Sequence, residues 1–226
     1  SREPLSLLVA TFLLGFVLAG FAAVLNSAFS DLFTRLGIPL VVFFFVIVGP
    51  VEETVKLLAV RLFAFRADSF DAVIDGAVYG AVAGLGFATI ENTIYITDQY
   101  IAAVGTTASP IGRTQVTAAV RTFAGPGHVI YSAFAGYYLG LAKFNPEDRG
   151  PIIVKGLLVA AAIHATYNSL VSNLFDIAMW LGVAGVSDAA LFVVFVIVYD
   201  GVFGYVLFWL FAYAVGLYRY YGLYIA

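Results

Sequence analysis

Ile38-Pro39-Leu40-Val41-Val42-Phe43-Phe44-Phe45-Val46-Ile47-Val48-Gly49 carries no charge and runs directly into Pro50-Val51-Glu52-Glu53-Thr54-Val55-Lys56, after which Leu57-Leu58-Ala59-Val60 resumes the apolar pattern. A hydrocarbon core of about 30 Å takes roughly 20 helical residues, so the flanks together make one span with a charged knot inside it. Two adjacent carboxylates and a lysine are expensive at that depth and mark a functional site by default. On a helix Glu52 and Lys56 share a face in the favourable Glu-before-Lys order. Glu53 points about 100° further round the same cylinder. Pro50 removes a backbone donor one turn upstream and predicts a kink. The bland alternative is a loop between two short helices, which the joint length of the flanks disfavours.

Composition extends that reading to the whole chain. Of its 226 residues 62% are apolar and only 11% charged, whereas a soluble domain carries about a quarter charged residues. The expected fold class is an all-α polytopic membrane protein, a bundle of about six transmembrane helices, or seven or eight segments with short interfacial helices. Residues 1–226 read as one integral-membrane domain. The net charge of −3 is scattered, and no basic tract suits a nucleic acid partner. The absence of cysteine excludes a thiol nucleophile, thiolate metal ligands and disulfides.

Six spans are expected, at about Leu5 to Ala28, Gly37 to Phe65, Ala72 to Ile96, Val116 to Phe144, Ile152 to Phe175 and Ala189 to Leu217. The first is too long for the core of a cleavable signal. Gly76, Gly80, Gly84 and neighbouring alanines give the third span a small-residue face suited to close helix contact. Asp98 to Thr117 reads as a loop long enough to hold a short helix or a lid, Asp176 to Asp188 as an interfacial segment, and Tyr218, Tyr220, Tyr221 and Tyr224 as an interfacial belt. Arg2, Arg61, Arg66, Lys143, Arg149, Lys155 and Arg219 fall on one side, against Arg35, Arg113 and Arg121 on the other. The positive-inside rule therefore predicts that both termini are cytoplasmic.

The costly polar groups inside the spans include Glu52, Glu53, Lys56, Glu91, His128, His164, Asn168 and Asp200. Counted from the non-cytoplasmic ends, Glu52, Glu91, His128 and His164 all lie roughly 10 to 20 Å deep at about 1.5 Å per residue. Two imidazoles and one carboxylate make a three-ligand set for a catalytic zinc with a fourth position open to water. In that scheme Glu91, His128 and His164 are the ligands, and Glu52 or Glu53 is the general base. Asn168, one turn beyond His164, is placed to hydrogen-bond an oxyanion or the histidine. One buried histidine alone reads as an interhelical hydrogen bond. Two histidines and three glutamates at one depth read as a site.

Glu52-Glu53-Thr54-Val55-Lys56, Phe87-Ala88-Thr89-Ile90-Glu91-Asn92, the lone His128 and His164-Ala165-Thr166-Tyr167-Asn168 occur in that order. As EExxK, FxxxEN, H and HxxxN motifs they resemble the PrsW-type intramembrane proteases, relatives of the CAAX prenyl endoproteases and bacteriocin-processing enzymes. In the wider CAAX group the second motif ends in histidine; Glu91 here points to the PrsW branch and away from prenylated C-termini. The resemblance implies an endopeptidase in a prokaryotic cell membrane that cuts a membrane-anchored protein or peptide. Known relatives process an anti-sigma factor on its extracytoplasmic side. Whether the glutamates and histidines bind a metal or activate water directly stays open, as does the choice between Glu52 and Glu53.

Rival chemistries lack their parts. There is no HExxH pair and no GxSxG elbow, and Tyr199-Asp200 is followed by no GxGD. A proton- or cation-coupled transporter is the alternative from another class, because a buried Glu/His cluster also suits an ion path. The inverted repeat that would support it is not visible. Asp200 is expected either to face the same cavity or to pair with Lys56 or a backbone donor. Asp75 and Asp71 are expected to serve the start of the third span.

Overall fold

The computed structural model describes residues 3–183 and 185–221, with side chains up to residue 216. Arg2, Tyr224 and the side chains of Tyr218, Arg219, Tyr220 and Tyr221 lie outside the described residues.

Helix α1 (Leu5–Arg35) turns a thin stripe of small side chains (Thr11, Gly15, Ala19, Ala22) inward and leaves large apolar residues exposed. The second column begins at Pro39 with α2 (Leu40–Phe43), widens into a π-helical turn (Phe44–Val48) and continues as α3 (Gly49–Leu62). The N–H of Gly49 reaches back to the carbonyl of Phe44. The extra residue of that turn sets Pro50 in the first turn of α3, where a missing N–H costs little. The expected proline disturbance thus takes the form of a wide turn ahead of the charged knot.

Helix α4 (Val73–Ala103) starts with the Asp75 carboxylate accepting the N–H groups of Asp71 at 2.9 Å and Ala72 at 2.7 Å. Then follow α5 (Pro110–Lys143), α6 (Arg149–Ser172), the short α7 (Leu174–Trp180) and α8 (Asp188–Tyr221). On α7 Met179 and Trp180 are exposed, as an interfacial segment requires. The expected loop from Asp98 to Thr117 is instead mostly helix, with only residues 104–109 between α4 and α5. A helix of 31 residues is about 46 Å long and outreaches a hydrocarbon core of about 30 Å. Its polar turns stand in water without ceasing to be helical, and the Ser109 hydroxyl caps α5 by accepting the Gly112 N–H at 3.1 Å. Low hydropathy there reports the medium, not the backbone.

α4 is the hub. Cβ atoms added at Gly76, Gly80 and Gly84 would strike the backbone of Gly136, Ser132 and His128 on α5. On its other side Gly86 lies against the Phe12 carbonyl of α1, and Gly15 of α1 against that of Ala83. The small-residue face is therefore packing, and it brings α5 close enough for His128 to sit beside α4. Gly49 approaches the Ala161 carbonyl and seats α3 on α6 in the same way.

Helices α1, α4, α6 and α8 are long and apolar enough to cross a membrane. The chain is an all-α integral membrane protein. The α2–α3 column and α5 supply the other two expected segments. They have lower hydropathy because they carry the charged groups that the surrounding helices enclose.

Candidate active site

Glu52, Glu53 and Lys56 of α3 are all buried, Glu53 completely. The Lys56 ammonium donates to Glu53 Oε1 at 2.7 Å, lies 3.7 Å from Glu52 Oε2 and sits 4.2 Å from the centre of the Phe87 ring. It also meets His128 Nδ1 of α5 at 3.0 Å. An ammonium can only donate, so Nδ1 accepts and Nε2 carries the ring proton. That Nε2 faces Glu91 Oε2 of α4 at 2.8 Å. Glu91 in turn pairs with Arg121 of α5, whose Nε donates to Asn92 Oδ1 at 2.6 Å and whose guanidinium lies over the Tyr95 ring.

His164 of α6 is held by the other glutamate. Its Nδ1 lies 3.0 Å from Glu53 Oε1, and a carboxylate only accepts, so Nδ1 is the donor. Ser132 donates to the remaining oxygen, Glu53 Oε2, at 3.3 Å. In the neutral ring His164 Nε2 is left with its lone pair, and it faces Glu52 Oε2 at 3.7 Å. Glu52 Oε1 accepts from Asn26 of α1 at 3.0 Å, whereas Glu52 Oε2 is buried without a hydrogen bond. With Glu52 ionised and His164 neutral, two lone-pair atoms thus lie 3.7 Å apart.

That pair is the observation against which a metal can be tested. Glu52, His128 and His164 offer donor atoms that all lie within 4.8 Å of one another. Tetrahedral bonds of about 2.0–2.2 Å put neighbouring donors roughly 3.3–3.6 Å apart, close to the Glu52–His164 spacing. Glu53 on His164 Nδ1 is the outer carboxylate that orients a ligating imidazole. The donor set fits a metal once His128 gives up one of its two ring contacts, Lys56 at Nδ1 or Glu91 at Nε2. Glu91 meets His128 but is not part of this converging group.

A cavity of about 560 Å³ opens beside the cluster, reached by Glu52, Glu91, Arg121, His128 and Asn168 and by Asn26 near the end of α1. Asn168 lies one turn past His164, half-buried, with no hydrogen bond among the described residues. Asp200 of α8 pairs with Tyr131 at 3.2 Å and not with Lys56, whose contacts are taken up by the glutamates and His128.

The sequence reading placed Glu52, Glu53, Glu91, His128, His164 and Asn168 at the site, and all six meet around the cluster or its cavity. It missed Asn26, Arg121, Tyr131 and Ser132. Arg121 precedes His128 by two helical turns and so shares its face, a spacing that could have found it. Asn26 was read only as part of the polar end of its span.

The family model described as PrsW family intramembrane metalloprotease matches residues 3–202. The chain belongs to the PrsW family. Protease PrsW of Halalkalibacterium halodurans is 29% identical over 171 residues, covering 74% of this chain and 71% of that protein. Protease PrsW of Clostridioides difficile is 28% identical over 174 residues, 74% of this chain and 68% of its own. The Geobacillus kaustophilus protein of the same name is 30% identical over 139 residues, 57% of this chain and 56% of its own. No solved structure matches the chain. PrsW membership makes this an intramembrane protease acting on protein in a membrane setting, with bacterial relatives, and sets the transporter alternative aside.

Proposed function

We propose that this PrsW protease hydrolyses a membrane-anchored protein with a water activated at Glu52 Oε2 and His164 Nε2. The facing lone pairs of these two atoms carry the reading. Glu52 is the proton acceptor, because it alone among the three glutamates has a buried oxygen without a partner. Glu53 serves differently: bound by Lys56, His164 and Ser132, it orients His164. Glu91 does the same for His128 and is itself anchored by Arg121. Two carboxylate-held imidazoles thus flank one carboxylate that is free to react.

Zinc is the metal we assign to Glu52, His128 and His164, in place of the Glu91, His128 and His164 set that shared depth and ligand chemistry had suggested. Bound there, it would polarise the scissile carbonyl and lower the pKa of a coordinated water. Without the metal, Glu52 Oε2 takes the water's proton and passes it to the leaving amine; with the metal held at Oε2, that carboxylate would be a ligand instead. The unengaged Asn168 amide donates to the oxyanion from the cavity wall. Arg61, Arg66 and Lys143 lie at the opposite end of the bundle, so the positive-inside rule turns the cavity mouth away from the cytoplasm.

Elemental analysis of detergent-purified protein tests the metal, and a single-span reporter protein in proteoliposomes tests the chemistry. Near-stoichiometric zinc is expected, lost in His128→Ala/His164→Ala. Glu52→Gln is expected to abolish cleavage in a folded protein. If neither protein holds zinc after zinc is supplied, Glu52 activates the water directly. Cleavage retained by Glu52→Gln would overturn the proposal altogether.

A further inference from the structure

The mechanism above makes no use of α8, yet α8 sends two polar side chains to the elements that carry the histidines. Tyr199 donates to the carbonyl of Ile163 at 2.6 Å, the residue immediately before His164. Asp200 accepts from the Tyr131 hydroxyl at 3.2 Å through Oδ1, while its Oδ2 is buried without a partner. Tyr131 is almost completely buried, and its ring stacks on the His164 imidazole with centroids 5.4 Å apart at 30°. His128 is further from it, at 6.3 Å and 55°.

The backbone makes room for this ring. A Cβ at Gly127 would come within 2.5 Å of the Tyr131 hydroxyl and 2.8 Å of Cζ. The phenol therefore lies folded over Gly127, and it can keep that position only while position 127 has no side chain. Exposing a buried carboxylate to a single neutral donor costs more than an ordinary core contact. Packing alone does not call for a carboxylate there.

We infer that Asp200 and Tyr131 form a positioning relay: Asp200 fixes the Tyr131 phenol, and the stacked phenol fixes the plane of the His164 imidazole. Glu53 sets the direction of Nδ1 on that ring, and Tyr131 sets its tilt, so that Nε2 points at Glu52. Neither Asp200 nor Tyr131 touches the reacting atoms. The inference rests on His164 belonging to the active site. It also couples α8 to the chemistry, since sliding α8 would move Asp200 and with it the tilt of the ring.

The chain has two histidines, so ring-¹⁵N labelling in detergent gives separate signals, assigned with His128→Ala. Asp200→Ala and Tyr131→Phe are expected to shift or split the His164 signals more than those of His128. The double variant is expected to shift them no further. Asp200→Asn keeps an acceptor for the phenol and is expected to restore the parental signals. On the reporter, Asp200→Ala is expected to lower kcat about tenfold at unchanged KM, with Asp200→Asn near the parent. Unmoved His164 signals in Asp200→Ala would overturn the relay. So would an Asp200→Asn as impaired as Asp200→Ala, which would make the charge the active feature. Cleavage retained by His164→Ala overturns the proposed function instead, and leaves the spectroscopic result standing.

Discussion

Lys56→Met is the sharpest perturbation of the buried cluster. The substitution keeps an unbranched apolar stem and removes the ammonium, with its charge and its donors. It takes away the 2.7 Å bond to Glu53, the 3.0 Å bond to His128 and the contact with the Phe87 ring in one step. Glu53 is then left fully buried with only His164 and Ser132. Breaking a buried pair on one side costs about 3–5 kcal/mol, because the remaining charge stays desolvated. For a chain of this size each kcal/mol shifts Tm by about 2–4 °C, so the expected loss is roughly 6–20 °C. Adding Glu53→Gln removes the orphaned charge, and Lys56→Met/Glu53→Gln is expected to recover most of the loss. Thermal unfolding in one detergent, followed by circular dichroism, measures all three proteins. A Lys56→Met protein within about 1 kcal/mol of the parent would refute a desolvated ion pair. Additive losses in the double variant would do so as well.

Gly84→Val should separate α4 from α5 at the His128 carbonyl, lowering both Tm and reporter cleavage, whereas Gly20→Ala meets nothing within 4 Å and should do neither. Asn26→Ala removes the bond that fixes Glu52 Oε1; a hydrogen bond to a charged group is worth about 1.5–3 kcal/mol, so cleavage should slow at least tenfold while Asn26→Asp, with its like charge, does worse. Burial raises the Glu3 carboxyl above its usual range, outside the spans. With the folded value above the unfolded 4.5, stability is intact below that pH and falls as pH climbs through the folded value. Glu3→Gln should therefore match the parent in acid and exceed it in Tm at neutral pH.

Much of this was legible in the sequence, because a membrane span is a long and strongly constrained signal. Glu52 and Glu53 stood out, with Lys56 one turn on, because the twelve residues before Pro50 carry no charge, and the glycines of α4 stood out by their spacing. What was not legible depended on rotation and register. Glu52 and Glu53 are neighbours in sequence, but which of them finds His164 and Ser132 is decided by the facing surfaces of α5 and α6. Glu91 shares a depth with the histidines, yet Arg121 draws it to the far side of His128. The π-helical turn before Gly49 adds one residue to the helix and rotates everything after it. No periodicity count across Pro50 could have carried the correct face through that turn.

Charge balance supports the proposed role of Glu52 as the reactive member. Around the histidines stand Glu52, Glu53 and Glu91 against Lys56 and Arg121, which leaves one formal negative charge in a medium where an unbalanced charge is costly. Its location follows from the partners. Glu53 has Lys56 at bonding distance, and Glu91 has Arg121. Glu52 has only the neutral amide of Asn26 at bonding distance, with Lys56 at 3.7 Å. The excess therefore lies on the carboxylate at the cavity, facing the free lone pair of His164. Relief comes from whatever positive charge can enter that cavity, whether a divalent cation held between the donors or a proton taken from water. Hydrolysis uses the same tendency, since a carboxylate that gains stability by accepting a proton is a base placed where the water must be.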